Sequence, residues 1–235
     1  MVVLQDRDVP PGKGQGPLFH IDNEPVRRFV GVAGLLLPII LLVAVVLRPT
    51  TGLDTFLNSL SAYYYTSAIM VLEGILLVLG VFLLTYKGYP KNKYQLADRV
   101  AAGVAGWAAF FIALFPTYPP KGAMAPSWWT ETAGKIHDWS SAVMFVMFAV
   151  FALWLFRKTD QQVMTRDKKW RNHVYLVCGV LIVGSIVWVV YLEKTVKPPD
   201  SSPNIFIPES VAIISFAASW LVKGGVLRRW MPDQR

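Results

Sequence analysis

Met70-Val-Leu-Glu-Gly-Ile-Leu-Leu-Val-Leu-Gly-Val-Phe-Leu-Leu84 carries one charged residue, Glu73, in an otherwise apolar run. Strands of a membrane barrel alternate in polarity over about 10 residues, and this run does not alternate. Extended to Thr66 and Tyr86, it approaches the roughly 20 residues a helix needs to cross a hydrocarbon core of about 30 Å. A helix satisfies its own backbone in lipid, so the stretch predicts a transmembrane helix. Five further runs of the same kind accompany it: Phe29–Leu47, Ala97–Phe115, Trp139–Phe156, Val174–Leu192 and Ile207–Val222. Those at Trp139 and Ile207 are short. The expected fold is all-α, a polytopic membrane bundle of six transmembrane helices.

Composition agrees. The chain is 54% hydrophobic and 16% charged, against about 25% charged residues in soluble domains. Its mean hydropathy is +0.43. The single Cys178 lies within the fifth run, where it serves as a small packing residue.

The cations fix the expected orientation. Of the 23 lysines and arginines, only Arg48, Lys121, Lys135, Lys194 and Lys197 fall on the side opposite the N-terminus. The rest flank the spans on the N-terminal side, and the positive-inside rule therefore places both termini in the cytoplasm. Residues 1–28 read as a flexible cytoplasmic tail without the shape of a signal peptide. Residues 29–225 form the membrane domain, and 226–235 a basic cytoplasmic tail. Topology and anionic headgroups account for the net charge of +8. The Arg166–Arg171 cluster reads as a lipid-facing anchor, and no motif for nucleic acid accompanies the charge.

Polar residues gather on the outer side. An ionisable residue inside a span is costly and marks a functional site or an internal pair. Glu73 is such a residue. It either pairs within the bundle or carries a proton or cation. It is expected about two turns below the surface, on one face with Tyr65. Tyr63, Tyr64 and Tyr65 suit an interfacial belt, while Ser59, Ser61 and one tyrosine hydroxyl are placed to line a pocket. His137 opens the fourth span with Ser140 and Ser141 on its side of the helix. Its ordinary pKa suits proton transfer. Glu209 follows Pro208 at a helix start, which its dipole alone explains. Glu193 closes the fifth span and is expected to snorkel or to pair with Lys194, Lys197 or His137. The small residues Ala102-Gly-Val-Ala-Gly106, with Gly179 and Gly184, serve close helix approach. Trp128 and Trp129 are placed to lie on the membrane surface as a lid.

No phosphate loop, dinucleotide fingerprint, hydrolase elbow or zinc-ligand spacing occurs. No metal or other cofactor is expected.

Several phrases carry a resemblance. Ser59-Leu-Ser-Ala-Tyr-Tyr-Tyr-Thr66, Leu79–Tyr89, Ala113-Leu-Phe-Pro-Thr117, Ile136-His137 with Ser141–Phe145, Arg171–Gly179 and Glu209 with Ser219–Gly224 stand in order over most of residues 29–225. Together they resemble an uncharacterised family of six-span bacterial membrane proteins. The resemblance implies a multi-pass protein of the bacterial inner (plasma) membrane and no known reaction. That group is distantly similar to Frag-type lipid-remodelling proteins and to alkaline-ceramidase and adiponectin-receptor-like membrane hydrolases. Such hydrolases use Ser, Asp and three His at zinc. Here Glu209 to Lys223 contains no histidine, and only Ser61 and His137 have counterparts.

The expected function is that of an integral membrane protein with an outward-facing polar pocket for a lipid or amphiphile. Bundles hold ligands between helices, with few polar groups on apolar walls. Ser59, Ser61, Tyr65, Ser141, Glu193 and Glu209 are the expected ligand-binding residues. His137 is the expected base, oriented by a carboxylate, and Glu73 its acidic counterpart, if the headgroup is processed. Membrane lipids are the expected partners and nucleic acid is not. The alternatives are a small-molecule or ion transporter and a non-catalytic accessory subunit.

Overall fold

The computed structural model describes residues 23–86, 88, 94–158, 166–196 and 203–225. The expected tails at 1–22 and 226–235 lie outside the described residues, as does Lys197. The elements are α1 (Asn23–Leu47), α2 (Ile69–Thr85), α3 (Gln95–Leu114), α4 (Glu131–Leu153), α5 (Arg166–Thr195) and α6 (Phe206–Lys223), with short 3-10 turns at Ser61–Tyr65 and Leu155–Arg157. Five of the six α-helices are long and apolar enough to cross a membrane, and α2 is a shorter apolar helix.

Each helix packs against its neighbour in sequence, and α1 packs against α6 to close a ring. The α1–α2 seam is the loosest in the ring. Helices alternate in direction, so α1 begins and α6 ends at one end of the bundle, here called proximal. The loops before α2, α4 and α6 gather at the distal end. The exterior is apolar in the way lipid demands. On α1, Val32, Leu36, Ile39, Val43 and Val46 are all exposed and repeat every three or four residues.

Helix limits differ from the hydrophobic runs in two places. The second helix starts at Ile69, not Thr66. Thr66 spends its hydroxyl on local backbone instead, and the Ser67 hydroxyl donates to the Arg48 carbonyl at 2.5 Å. Thr66 Oγ1 donates to the Tyr63 carbonyl at 2.7 Å and accepts from Ala68 N at 3.1 Å. Ser67 N donates to Thr50 Oγ1 at 3.0 Å. Such bonds compete with helical ones and break the chain between the tyrosines and the span. The fourth helix, by contrast, starts at Glu131, well before the apolar run. Thr130 caps it, its hydroxyl accepting from Ala133 N at 3.3 Å, and Glu131 occupies the favourable first turn. With 23 residues it is not short.

Small residues set the helix spacing. Cβ atoms added at Gly80 and Gly106 would crowd each other's backbone across α2 and α3, and one at Gly179 would overlap Leu153 of α4. Gly103 and Gly184 face open space, so those two take no part in close approach. The proximal half is filled with aromatic rings. Phe148 and Phe216 stack at 3.6 Å, and Trp220 packs against Phe82, Tyr86, Phe151, Phe156 and Phe216.

The basic cluster at the start of α5 is not uniformly lipid-facing. Lys168 is buried, and its Nζ donates to the carbonyls of Phe156 at 3.0 Å and Lys158 at 3.2 Å, where the fourth helix leaves acceptors unpaired. Lys169 and Trp170 remain exposed as expected.

Candidate functional site

A cavity of about 240 Å³ lies at the distal end, bounded by α4, α5, α6 and the loops before α2 and α4. The fourth and fifth helices touch closely at Leu153 and Gly179, and their distal halves both line the cavity. Exposed residues of both, Trp139 and Ala142 on α4 and Val190 on α5, border the cavity. The opening is therefore on the flank of the bundle as well as at its end.

Six of the residues singled out in sequence line it: Ser59, Ser61, His137, Ser141, Glu193 and Glu209. Local structure explains how they meet. The loop before α2 is strapped to the start of α6. The backbone N–H groups of Ile205 and Phe206 donate to the Asn58 carbonyl at 2.7 and 2.8 Å. Glu209 Oε2 accepts from Leu60 N at 2.7 Å and from Ser59 Oγ at 3.0 Å. Ser59 Oγ in turn accepts from Ser61 N at 3.1 Å. Glu209 is buried, so those two donors compensate part of the cost of placing a carboxyl there.

His137 is buried in the second turn of α4. Its Nδ1 stands 2.7 Å from the Phe115 carbonyl, and the Ile112 carbonyl also bears on the ring. A carbonyl only accepts, so Nδ1 carries the proton and Nε2 is the acceptor of the neutral ring. The orienting group is thus backbone at the end of α3. Among the described residues no carboxylate hydrogen-bonds the ring, so the orienting role expected of one falls to the Phe115 carbonyl.

Glu193 makes no ion pair with Lys194 or His137. Its electrostatic neighbours are Asp138 and Glu209, both acidic. Asp138 and Glu193 are exposed at the rim, whereas Glu209 is buried at the floor. Among the described residues no lysine or arginine borders the cavity.

Tyr65 and Glu73 are not brought to the cavity. Tyr65 lies in the 3-10 turn, and its hydroxyl donates to the Thr117 carbonyl at 2.6 Å. Thr117 itself lines the cavity, so Tyr65 holds the wall from behind. Burial, and then the neighbouring Tyr64, push its hydroxyl from the ordinary 10.0 up to about 12. Tyr63 is fully buried, not a member of an interfacial belt; its hydroxyl donates to the Thr55 carbonyl at 2.9 Å. Glu73 sits in the first turns of α2, half-buried, beside Tyr64 instead of sharing a face with Tyr65. It has no hydrogen bond or ion pair among the described residues. The break at Thr66–Ala68 is what separates it from the tyrosine register.

The tryptophans do not cover the cavity. Trp129 Nε1 donates to the Pro116 carbonyl at 3.1 Å and its ring meets Tyr118 edge-on at 5.6 Å, while Trp128 is exposed.

Sequence reasoning missed Asp138, Thr117 and Ser185 as lining residues. The signal for Ser185 was present: Ser185, Val189 and Glu193 are spaced four apart on one helix face. Among the described residues, no group of three or more His, Cys, Asp or Glu is arranged to hold a metal ion.

No curated protein and no solved structure matches the chain, so no named relative supports the likeness to Frag-type proteins or to the membrane hydrolases. One family does match, over residues 27–226, under the description "Protein of unknown function (DUF998)", and the chain, a multi-pass membrane protein, belongs to that family.

Proposed function

We propose that the protein binds an amphiphile from the outer leaflet in the distal cavity. The observation that carries this is the combination of a polar floor with an opening on the membrane flank. Ser59, Glu209 and His137 lie inward, while Phe145, Ile186, Val189 and Val190 provide apolar wall. A headgroup would find hydrogen-bond partners within, and its tail would remain among side chains or lipid. The volume supports a headgroup and the first carbons of one tail.

The geometry favours binding over catalysis. His137 is braced by backbone, and among the described residues no serine hydroxyl is hydrogen-bonded to it as an activated nucleophile would be. Transport is not favoured either, since the stacked rings of Phe148 and Phe216 stand one turn of α6 below Ala212 at the cavity floor.

Native mass spectrometry of protein extracted in mild detergent tests the proposal. Wild type and Glu73→Leu should both retain a defined small molecule. Ala142→Trp, which fills the exposed mouth without touching the core, should lose it. Bulk lipid alone, equal in all three, would sink the binding function and leave an accessory membrane subunit as the better account.

A further inference from the structure

The cavity has a sign. Asp138, Glu193 and Glu209 border one small volume, and among the described residues no lysine or arginine does. Carboxylates gathered at one low-dielectric site favour a cation placed among them. Lys135, one turn before Asp138, pairs with Glu131 at 2.7 Å on an exposed face, and neither residue lines the cavity.

A second observation is independent of the acids. Ser185 is only 4% exposed and borders the cavity, yet its hydroxyl has no partner among the described residues. Serine in a helix usually returns its hydroxyl to the carbonyl one turn back, and this one does not. Ser185 is thus an open acceptor or donor facing the place where a headgroup would sit. Aromatic surface completes the set. Trp139 and Phe145 line the same cavity, and ring faces attract ammonium groups.

We infer that the ligand is a cationic amphiphile, a single ammonium headgroup on an alkyl tail, held between the rim acids Asp138 and Glu193 and the floor at Glu209 and Ser185. This deepens the proposed function and rests on it. The tail leaves between α4 and α5 towards lipid. Phosphate-bearing headgroups are disfavoured, because their negative charge would face the same acids.

The test uses full-length protein in dodecyl maltoside, with binding read as a saturable rise in melting temperature. The probes are dodecylammonium, the neutral dodecanol, the anionic dodecanoate, and methylammonium as a headgroup without a tail. Dodecylammonium should bind at least tenfold more tightly than each of the others. Glu193→Gln and Asp138→Asn, both at exposed positions that fold tolerates, should each weaken it several-fold. Glu73→Gln should leave it unchanged. Equal binding of all three twelve-carbon probes would overturn the charge assignment while leaving an amphiphile site standing. Methylammonium binding as tightly as dodecylammonium would instead overturn the amphiphile reading beneath it. Rim variants that bind dodecylammonium like wild type would remove these acids from the site.

Discussion

A carboxyl, a phenol and an imidazole in this protein each do something their sequence position alone would not announce. Glu209 sits where a helix dipole would explain it, yet its oxygen reaches back to the backbone of Leu60, 149 residues earlier in the chain. His137 has the chemistry of a base but is used to join α4 to the end of α3. Tyr65 has the position of an interfacial anchor but braces the cavity wall through Thr117. Its hydroxyl binds its proton more tightly when folded, with a pKa raised to about 12 from 10.0. A raised folded value contributes stability that is complete below the unfolded pKa and is lost as pH rises through the window between the two. Wild type should therefore lose melting temperature between about pH 10 and pH 12. Tyr65→Phe should start lower, by about 1 kcal/mol for the lost hydrogen bond. It should also fall less steeply across that window in a pH series of thermal melts. Six of the eight nominated residues share one cavity because they stand at helix ends on one side, which charge and span counting locate well. Tyr65 and Glu73 do not, because two hydroxyl residues, Thr66 and Ser67, interrupt the helix that would have aligned them.

At the scale of elements, the spans were legible because lipid leaves hydrophobic length as the dominant signal. Their starts were less so, since caps and local hydroxyl bonds are decided by single residues. Thr130 begins α4 among polar residues that hydropathy treats as loop. Which small residues matter was not legible either, because glycine spacing does not say which face a partner occupies. Gly179 is pressed against Leu153, while Gly184 one face away is open. Gly179→Leu should force α4 and α5 apart, at a cost of about 1–3 kcal/mol for overpacking. Gly184→Ala should be neutral or stabilising by up to about 1 kcal/mol from helix propensity. Detergent melts of the two variants measured side by side check the pair, and equal destabilisation would contradict the packing described.

For the whole molecule, the charge distribution and the even number of helices make a joint statement. The distal loops, cavity included, should face out of the cell. Cys178 is buried and gives little background, so single added cysteines report sidedness. An impermeant maleimide should label Lys121→Cys in intact cells and label Lys169→Cys only after lysis. The reverse pattern would invert the bundle and move the cavity to the inner leaflet.

The aromatic packing around Trp220 has a bearing on what the molecule can sense. Rings from α2, α4 and α6 close the interior between the cavity floor and the proximal end, while the distal flank stays open. On the proposed function, a guest there would exchange with one side of the bilayer only. Its occupancy would then track its chemical potential in a single leaflet, whatever its abundance in the other, which would make the bundle a one-sided gauge of membrane asymmetry.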